Sequence, residues 1–153
     1  MLQPASVRPL AAEDRHVWAD LWQQYLAFYE TILPEAIYES TWTRLMSHDE
    51  PVWGALALAG QRPIGFAHFI YHRTAWAIAD NCYLQDLFVS PDGRGLGHGR
   101  GLIAYVAEAA KRNGSSRVYW LTHESNSVAQ AIYDRVASRS GFIQYRLPPR
   151  ESP

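Results

Sequence analysis

Apolar residues recur at helical spacing from about Ala12 to Tyr29, where Trp18, Leu21, Trp22, Tyr25, Leu26 and Tyr29 share one side of a 3.6-residue period. Pro34 ends that pattern, and a weaker one with Ile37, Trp42, Leu45 and Met46 runs from about Glu35 to Ser47. The chain then changes character. Val52 to Ala59 and Ile64 to His72 read as strands around the turn Gly60-Gln61-Arg62-Pro63, which predicts a hairpin, and Asn81 to Val89 reads as its next partner. Ahead of these, Ser6-Val7-Arg8-Pro9 reads as a short edge strand, because Pro9 has no N–H to give to a ladder. Past Pro91-Asp92-Gly93 a glycine-rich run leads into a helix from about Gly99 to Arg112. Leu102, Ile103, Val106 and Ala110 share one face of it, and Asn113-Gly114 stops it. Arg117 to Thr122 is a compact strand. Asn126 to about Arg139 is a last helix with Val128, Ile132 and Val136, and Phe142 to Leu147 reads as a final strand after Gly141. The order predicts an α+β fold with α/β-type layers: one domain over residues 1–147 with a mixed sheet, then a flexible tail over 148–153.

Composition narrows the function classes. The 153 residues are 48% hydrophobic and 19% charged, enough to bury a core without a staple. Fourteen Lys and Arg (14) balance 15 Asp and Glu, a net charge of −1, so the strong basic footprint of a nucleic-acid binder is absent. A single cysteine, Cys82, excludes an internal disulfide framework and a multi-cysteine metal site. No apolar stretch has the length of a signal peptide or a membrane span, which makes the cytoplasm the expected compartment and membranes an unexpected partner.

The chemistry-bearing stretch is Leu84 to Gly101: a strand, a turn, and five glycines (Gly93, Gly95, Gly97, Gly99, Gly101) running into a helix start. Glycines admit close backbone approach, and the first turn of a helix directs N–H groups at negative charge. Arg94 and Arg100 add the bidentate grip on phosphate that guanidinium provides. No P-loop string occurs. Gly99-Arg100-Gly101-Leu102-Ile103-Ala104 satisfies a dinucleotide fingerprint formally, with Glu124 downstream. It lies on the helix rather than at the strand's exit, and too little chain follows Glu124 for a second nucleotide-binding half. The remaining reading is Arg-x-x-Gly-x-Gly, met by Arg94, Gly97 and Gly99.

Arg94-Gly95-Leu96-Gly97-His98-Gly99, the strand Tyr83 to Ser90 before it, and Asn126 followed by Ala129 and Tyr133 resemble the GNAT superfamily of acyl-CoA-dependent N-acetyltransferases. Val118 to Asn126 is similar to the polyamine branch, with the yeast histone/polyamine acetyltransferase. The resemblance implies a GNAT-like domain with splayed central parallel strands, acetyl-CoA as co-substrate and a primary amine as acceptor, either a small-molecule amine of polyamine type or a protein lysine, in a possible homodimer. It implies that Leu87, Phe88 and Val89 meet pantetheine through main-chain groups. Arg94, Gly95, Gly97, His98, Gly99 and Arg100 would hold the pyrophosphate, Asn126 the pantetheine arm, and Tyr133 would stand by the thioester sulfur. Tyr29, Glu30 and Gln85 would line the acceptor pocket.

The reaction needs an amine to lose a proton and a thiolate to leave. Tyr133 is the expected donor to the thiolate. The position of Gln85 is Glu in many polyamine acetyltransferases, and an amide cannot accept a proton at neutral pH. Glu124 is therefore the first candidate base and a water chain the second. A non-catalytic acyl-CoA sensor on the same fold is the alternative reading. His68 and His72 share a strand face, but no third ligand for a metal is evident.

Overall fold

The computed structural model describes residues 6–149, in two units that divide after Leu121. The first holds the sheet. Its strands are β1 (Ser6–Pro9), β2 (Val52–Ala59), β3 (Arg62–His72), β4 (Asn81–Val89) and β5 (Arg117–Tyr119), in the spatial order β1-β2-β3-β4-β5. All neighbours are antiparallel except β4 and β5, which are parallel. This is the mixed, mostly antiparallel sheet that the pattern predicts. Three helices flank it: α1 (Arg15–Phe28), α2 (Glu35–Met46) and α3 (His98–Arg112). None of the helices among the described residues is long and apolar enough to cross a membrane.

Strand alternation decides which layer each side chain joins. Phe66 and His68 of β3 face α1, while Phe69 and Tyr71 take the other face, Tyr71 beside Tyr105 and Arg112 of α3. On the α1 side Trp18, Leu21 and Trp22 pack with Leu45 of α2, Leu56, Phe66 and Phe88 into one buried cluster. On the α3 side Leu102, Ile103, Val106 and Ala110 are buried along one stripe, as their spacing predicts.

A partly buried ion pair pins the start of α1 to the sheet edge. Arg8 donates to both oxygens of Asp14 at 2.6 and 2.9 Å, and the Ala11 N–H adds a third bond at 2.8 Å. The hydrogen-bonded Arg8 guanidinium, helped by Ala11, holds the Asp14 carboxyl below its usual range against the opposing effect of burial. A carboxyl depressed by folding stabilises fully above its unfolded pKa of ~3.9, and that stability is lost as pH falls through the lower folded value. Asp14→Asn is therefore expected to cost about 1–2 kcal/mol near neutral pH, with a shrinking difference below about pH 4, read from urea midpoints at constant slope.

The second unit carries α4 (Ser127–Val136). The strand expected over Phe142 to Leu147 is absent: these residues carry no ladder, and Phe142, Ile143, Tyr145 and Leu147 are exposed. A strand exists through a neighbour's N–H and C=O groups, and apolar content alone cannot supply that neighbour. Of the expected tail, Pro148 and Pro149 are irregular and exposed, and residues 150–153 lie outside the described residues.

Candidate active site

Two features of β4 shape the site. First, β5 leaves the ladder after the rung Tyr83↔Tyr119, while β4 continues to Val89. From Leu84 onward β3 alone pairs with β4 among the described residues, which opens the second edge of a central strand. Second, Leu84 pairs with Phe69 and Asp86 with His68, so Gln85 is an extra residue, a β-bulge. The bulge reverses the alternation. Cys82 and Leu84 lie opposite Tyr71 and Phe69, but Asp86 and Phe88 lie opposite His68 and Phe66, on the α1 face. Gln85 itself is exposed.

Past the bulge, the backbone groups of successive residues point in alternate directions. The Ser90 N–H donates to the Ile64 carbonyl at 2.7 Å, in register with the pair Val89↔Gly65. Alternate residues of an antiparallel pair turn their groups the other way, so Leu87 and Val89 direct theirs at the open edge and Phe88 directs its own at β3. A Cβ on Gly65 would lie 2.6 Å from the Phe88 carbonyl, consistent with that direction. The backbone groups of Leu87 and Val89 are thus the ones that face the open edge, and those of Phe88 are turned to β3. Arg94 donates through Nε to the Val89 carbonyl at 3.0 Å, and its guanidinium lies 5.8 Å from the Phe88 ring centre. Arg94 thus ties the loop to the strand end, leaving its terminal nitrogens for an anion.

The loop fits a pyrophosphate. Gly95 and Gly97 adopt left-handed φ of 80° and 86°, and a Cβ on either would meet nothing within 4 Å. Gly97 caps α3 with no side-chain hydrogen bond, and the first helical bond is Gly101 N–H to Gly97 C=O. The N–H groups of His98, Gly99 and Arg100 therefore fall in the first turn, where a helix offers donors to an anion. Arg100 is exposed beside them. The His98 imidazole turns inward, 3% exposed, with Nδ1 unpartnered among the described residues. An anion at the start of α3 would therefore meet the His98 backbone N–H rather than its ring.

Tyr29 ends α1 and is half-exposed, and Glu30 follows with φ of 53°. That left-handed value is rare for a residue with a side chain and marks a constrained rim. Tyr25 packs edge-on against Tyr29 at 5.0 Å, and its phenol lies close enough to Asp86 to feel the carboxylate's charge. Burial, then the neighbouring Asp86 charge, pushes the Tyr25 phenol far up, so it remains a donor. Tyr83 stacks on Tyr119 at 5.0 Å, and the Tyr119 hydroxyl lies 2.7 Å from His72 Nε2. Reading the strand histidines as metal ligands alone does not reveal these partnerships. The pairing of His68 with Asp86 depends on the bulge, which no alternation count reveals.

In the second unit, Asn126 caps α4, its side-chain oxygen accepting from the Ala129 N–H at 3.2 Å. Its amide nitrogen is the donor left for a ligand. Tyr133 stands seven residues on, two helical turns along the same face. The Glu124 side chain is exposed in the turn before α4, where the Gln130 amide donates to its backbone carbonyl at 2.9 Å.

Comparison with known proteins gives the geometry a family. The Acetyltransferase (GNAT) family model matches residues 15–137. The D-amino-acid N-acetyltransferase of Saccharomyces cerevisiae is 34% identical over 142 residues, 92% of this chain and 88% of that protein. The thialysine N-epsilon-acetyltransferase of Caenorhabditis elegans is 29% identical over 80% of this chain and 79% of its own length. The solved structure of AAC(6')-Iy, in complex with the bisubstrate analog CoA-S-monomethyl-acetylneamine, superposes with a TM-score of 0.83 over 97% of this chain and 100% of that one. At 17% identity that likeness concerns the fold alone. With a family match that spans α1 to α4, an opened strand edge and a glycine loop leading into a helix N-terminus, the chain belongs to the GNAT family of acetyl-CoA-dependent N-acetyltransferases.

Proposed function

We propose that this enzyme acetylates the primary amine of a small cationic acceptor by direct attack on acetyl-CoA in a ternary complex. The observation that carries the cofactor half is the loop: two left-handed glycines with open space above them, at the uncapped start of α3. Leu87 and Val89 offer backbone pairing to the pantetheine arm along the open edge, and Asn126 offers its amide. Backbone N–H groups on that edge are suited to the oxygen on which charge develops during attack. Tyr133 is read as the donor to the departing sulfur, and Glu124 or water as the acceptor of the amine's proton. Tyr29, Glu30 and Gln85 are read as the rim of the acceptor pocket.

Direct attack is favoured over an acetylated enzyme by the state of the one cysteine. Cys82 is fully buried, and burial pushes its thiol up to about 11, which withholds the thiolate that nucleophilic catalysis needs. Initial rates with both substrates varied are therefore expected to give intersecting double-reciprocal lines. Parallel lines would indicate an acetyl-enzyme and refute this route. The acceptors to test are a D-amino acid, thialysine and spermidine, all of which carry a primary ammonium group.

A cytoplasmic homodimer completes the proposal. A single cysteine and no disulfide framework suit a reducing compartment. The exposed run Phe142, Ile143, Tyr145 and Leu147 is the surface a second copy would cover. Light scattering is expected to give the mass of two chains, and the mass of one chain at assay concentration would refute the dimer.

A further inference from the structure

The geometry points to Asp86 as the carboxylate that receives the acceptor's ammonium group, with His68 and Trp18 as the residues that position it. The inference rests on the reading of this chain as an amine acetyltransferase and adds the group that selects the amine.

Donor logic fixes the protonation of the cluster. The Trp18 indole N–H, which can only donate, lies 2.8 Å from His68 Nε2. Nε2 is therefore an acceptor, and the imidazole's single proton sits on Nδ1, 2.8 Å from Asp86 Oδ2. His68 is a neutral donor to Asp86, and the contact is a hydrogen bond rather than an ion pair. Tyr25, kept protonated by burial, is a neutral phenol beside the same carboxylate. Among the described residues no Lys or Arg lies within ion-pair distance of Asp86. The Asp86 side chain is 13% exposed and that of His68 4%. A carboxylate so placed, oriented by the neutral His68 donor and compensated by no cation, is a costly arrangement unless a cation arrives.

The surroundings describe that cation. Tyr25 packs edge-on on the buried Phe66 and Phe88, with ring centres 5.8 and 6.3 Å apart, and on half-exposed Tyr29 at 5.0 Å, so the aromatic surface nearest solvent here is that of Tyr25 and Tyr29. Aromatic faces attract an ammonium group as the carboxylate does. Trp18, 0% exposed, closes the deep end behind His68, and half-exposed Tyr29 opens the outer end beside Tyr25. Asp86 also sits one residue past the bulge, on the part of β4 that β5 has left. The site takes a compact alkylammonium at the strand edge where acetyl transfer is proposed.

Three variants test this with the amine that the wild-type enzyme acetylates fastest among thialysine, spermidine and D-lysine. Asp86→Asn keeps the shape and removes the charge, and is expected to raise acceptor KM at least tenfold with little change in acetyl-CoA KM. His68→Leu removes the Nδ1 donor and is expected to raise acceptor KM severalfold or more. His68→Asn restores a donor near the Nδ1 position and is expected to recover most of that loss, which a purely packing role would not do. Circular dichroism and calorimetric CoA affinity establish that each variant is folded, and if His68→Leu does not fold, Asp86→Asn and His68→Asn carry the test. A folded Asp86→Asn with wild-type acceptor KM overturns the ammonium site. Equal impairment of His68→Leu and His68→Asn, or parallel rises in both KM values, overturns the positioning role. A wild-type enzyme that binds CoA but acetylates no amine refutes the functional reading and this inference with it, whereas active wild type with unmoved variants refutes the inference alone.

Discussion

Tyr133→Phe is expected to slow the chemical step by roughly 10²–10⁴-fold and to leave acetyl-CoA KM nearly unchanged. The substitution keeps the ring and its packing on α4 and removes one hydroxyl. Tyr133 lies two turns past Asn126, the helix cap, so the tyrosine and the cap amide present themselves on one face of α4. A thiolate leaving carbon is stabilised by a proton donor mainly in the transition state, and the loss therefore falls on rate rather than on ground-state binding. Product release can hide such a loss in steady-state kcat, so the informative reading is the single-turnover rate. A Tyr133→Phe enzyme with the wild-type single-turnover rate would reduce Tyr133 to a packing residue of α4.

Gly97→Val is expected to weaken CoA binding at least 100-fold, about 2.7 kcal/mol. Two effects act together. At φ of 86° a β-branched residue is strongly disfavoured, so the turn that aims the first N–H groups of α3 must change. The added side chain would also stand in the open space above the loop, where its Cβ would meet none of the described residues within 4 Å apart from its neighbours in the chain. Gly97→Asn separates the effects, because Asn tolerates the left-handed region while still adding bulk. If strain dominates, Asn should recover much of the affinity; if occupied space dominates, it should not. Unchanged calorimetric affinity in a folded Gly97→Val protein would remove the pyrophosphate from this loop.

Much of this molecule is legible along the chain because its signals are local. The bounds of β2 and β4, and the run of four helices, follow from periodicity and from stops such as Pro34 and Gly114. The loop is legible for the same reason: glycine, arginine and a helix start are adjacent in sequence. What was hidden is what depends on register. The extra residue Gln85 turns Asp86 onto the α1 face, and its partner His68, with the Trp18 that donates to that histidine, comes from β3 and α1. Nothing near Asp86 in sequence announces them. The phantom strand at Phe142–Leu147 fails for a related reason, since a strand's partner is never written in the strand itself.

The central claim is that an acetyl group passes directly from acetyl-CoA to an amine. Mass spectrometry of the enzyme after incubation with acetyl-CoA and each of the test amines addresses it in one experiment. The account predicts an acetylated amine, an equal amount of free CoA thiol, and an enzyme chain of unchanged mass whether or not the amine is present. An acetylated enzyme chain that transfers its group on addition of amine would contradict direct attack. CoA bound tightly with no amine acetylated would contradict the transfer itself.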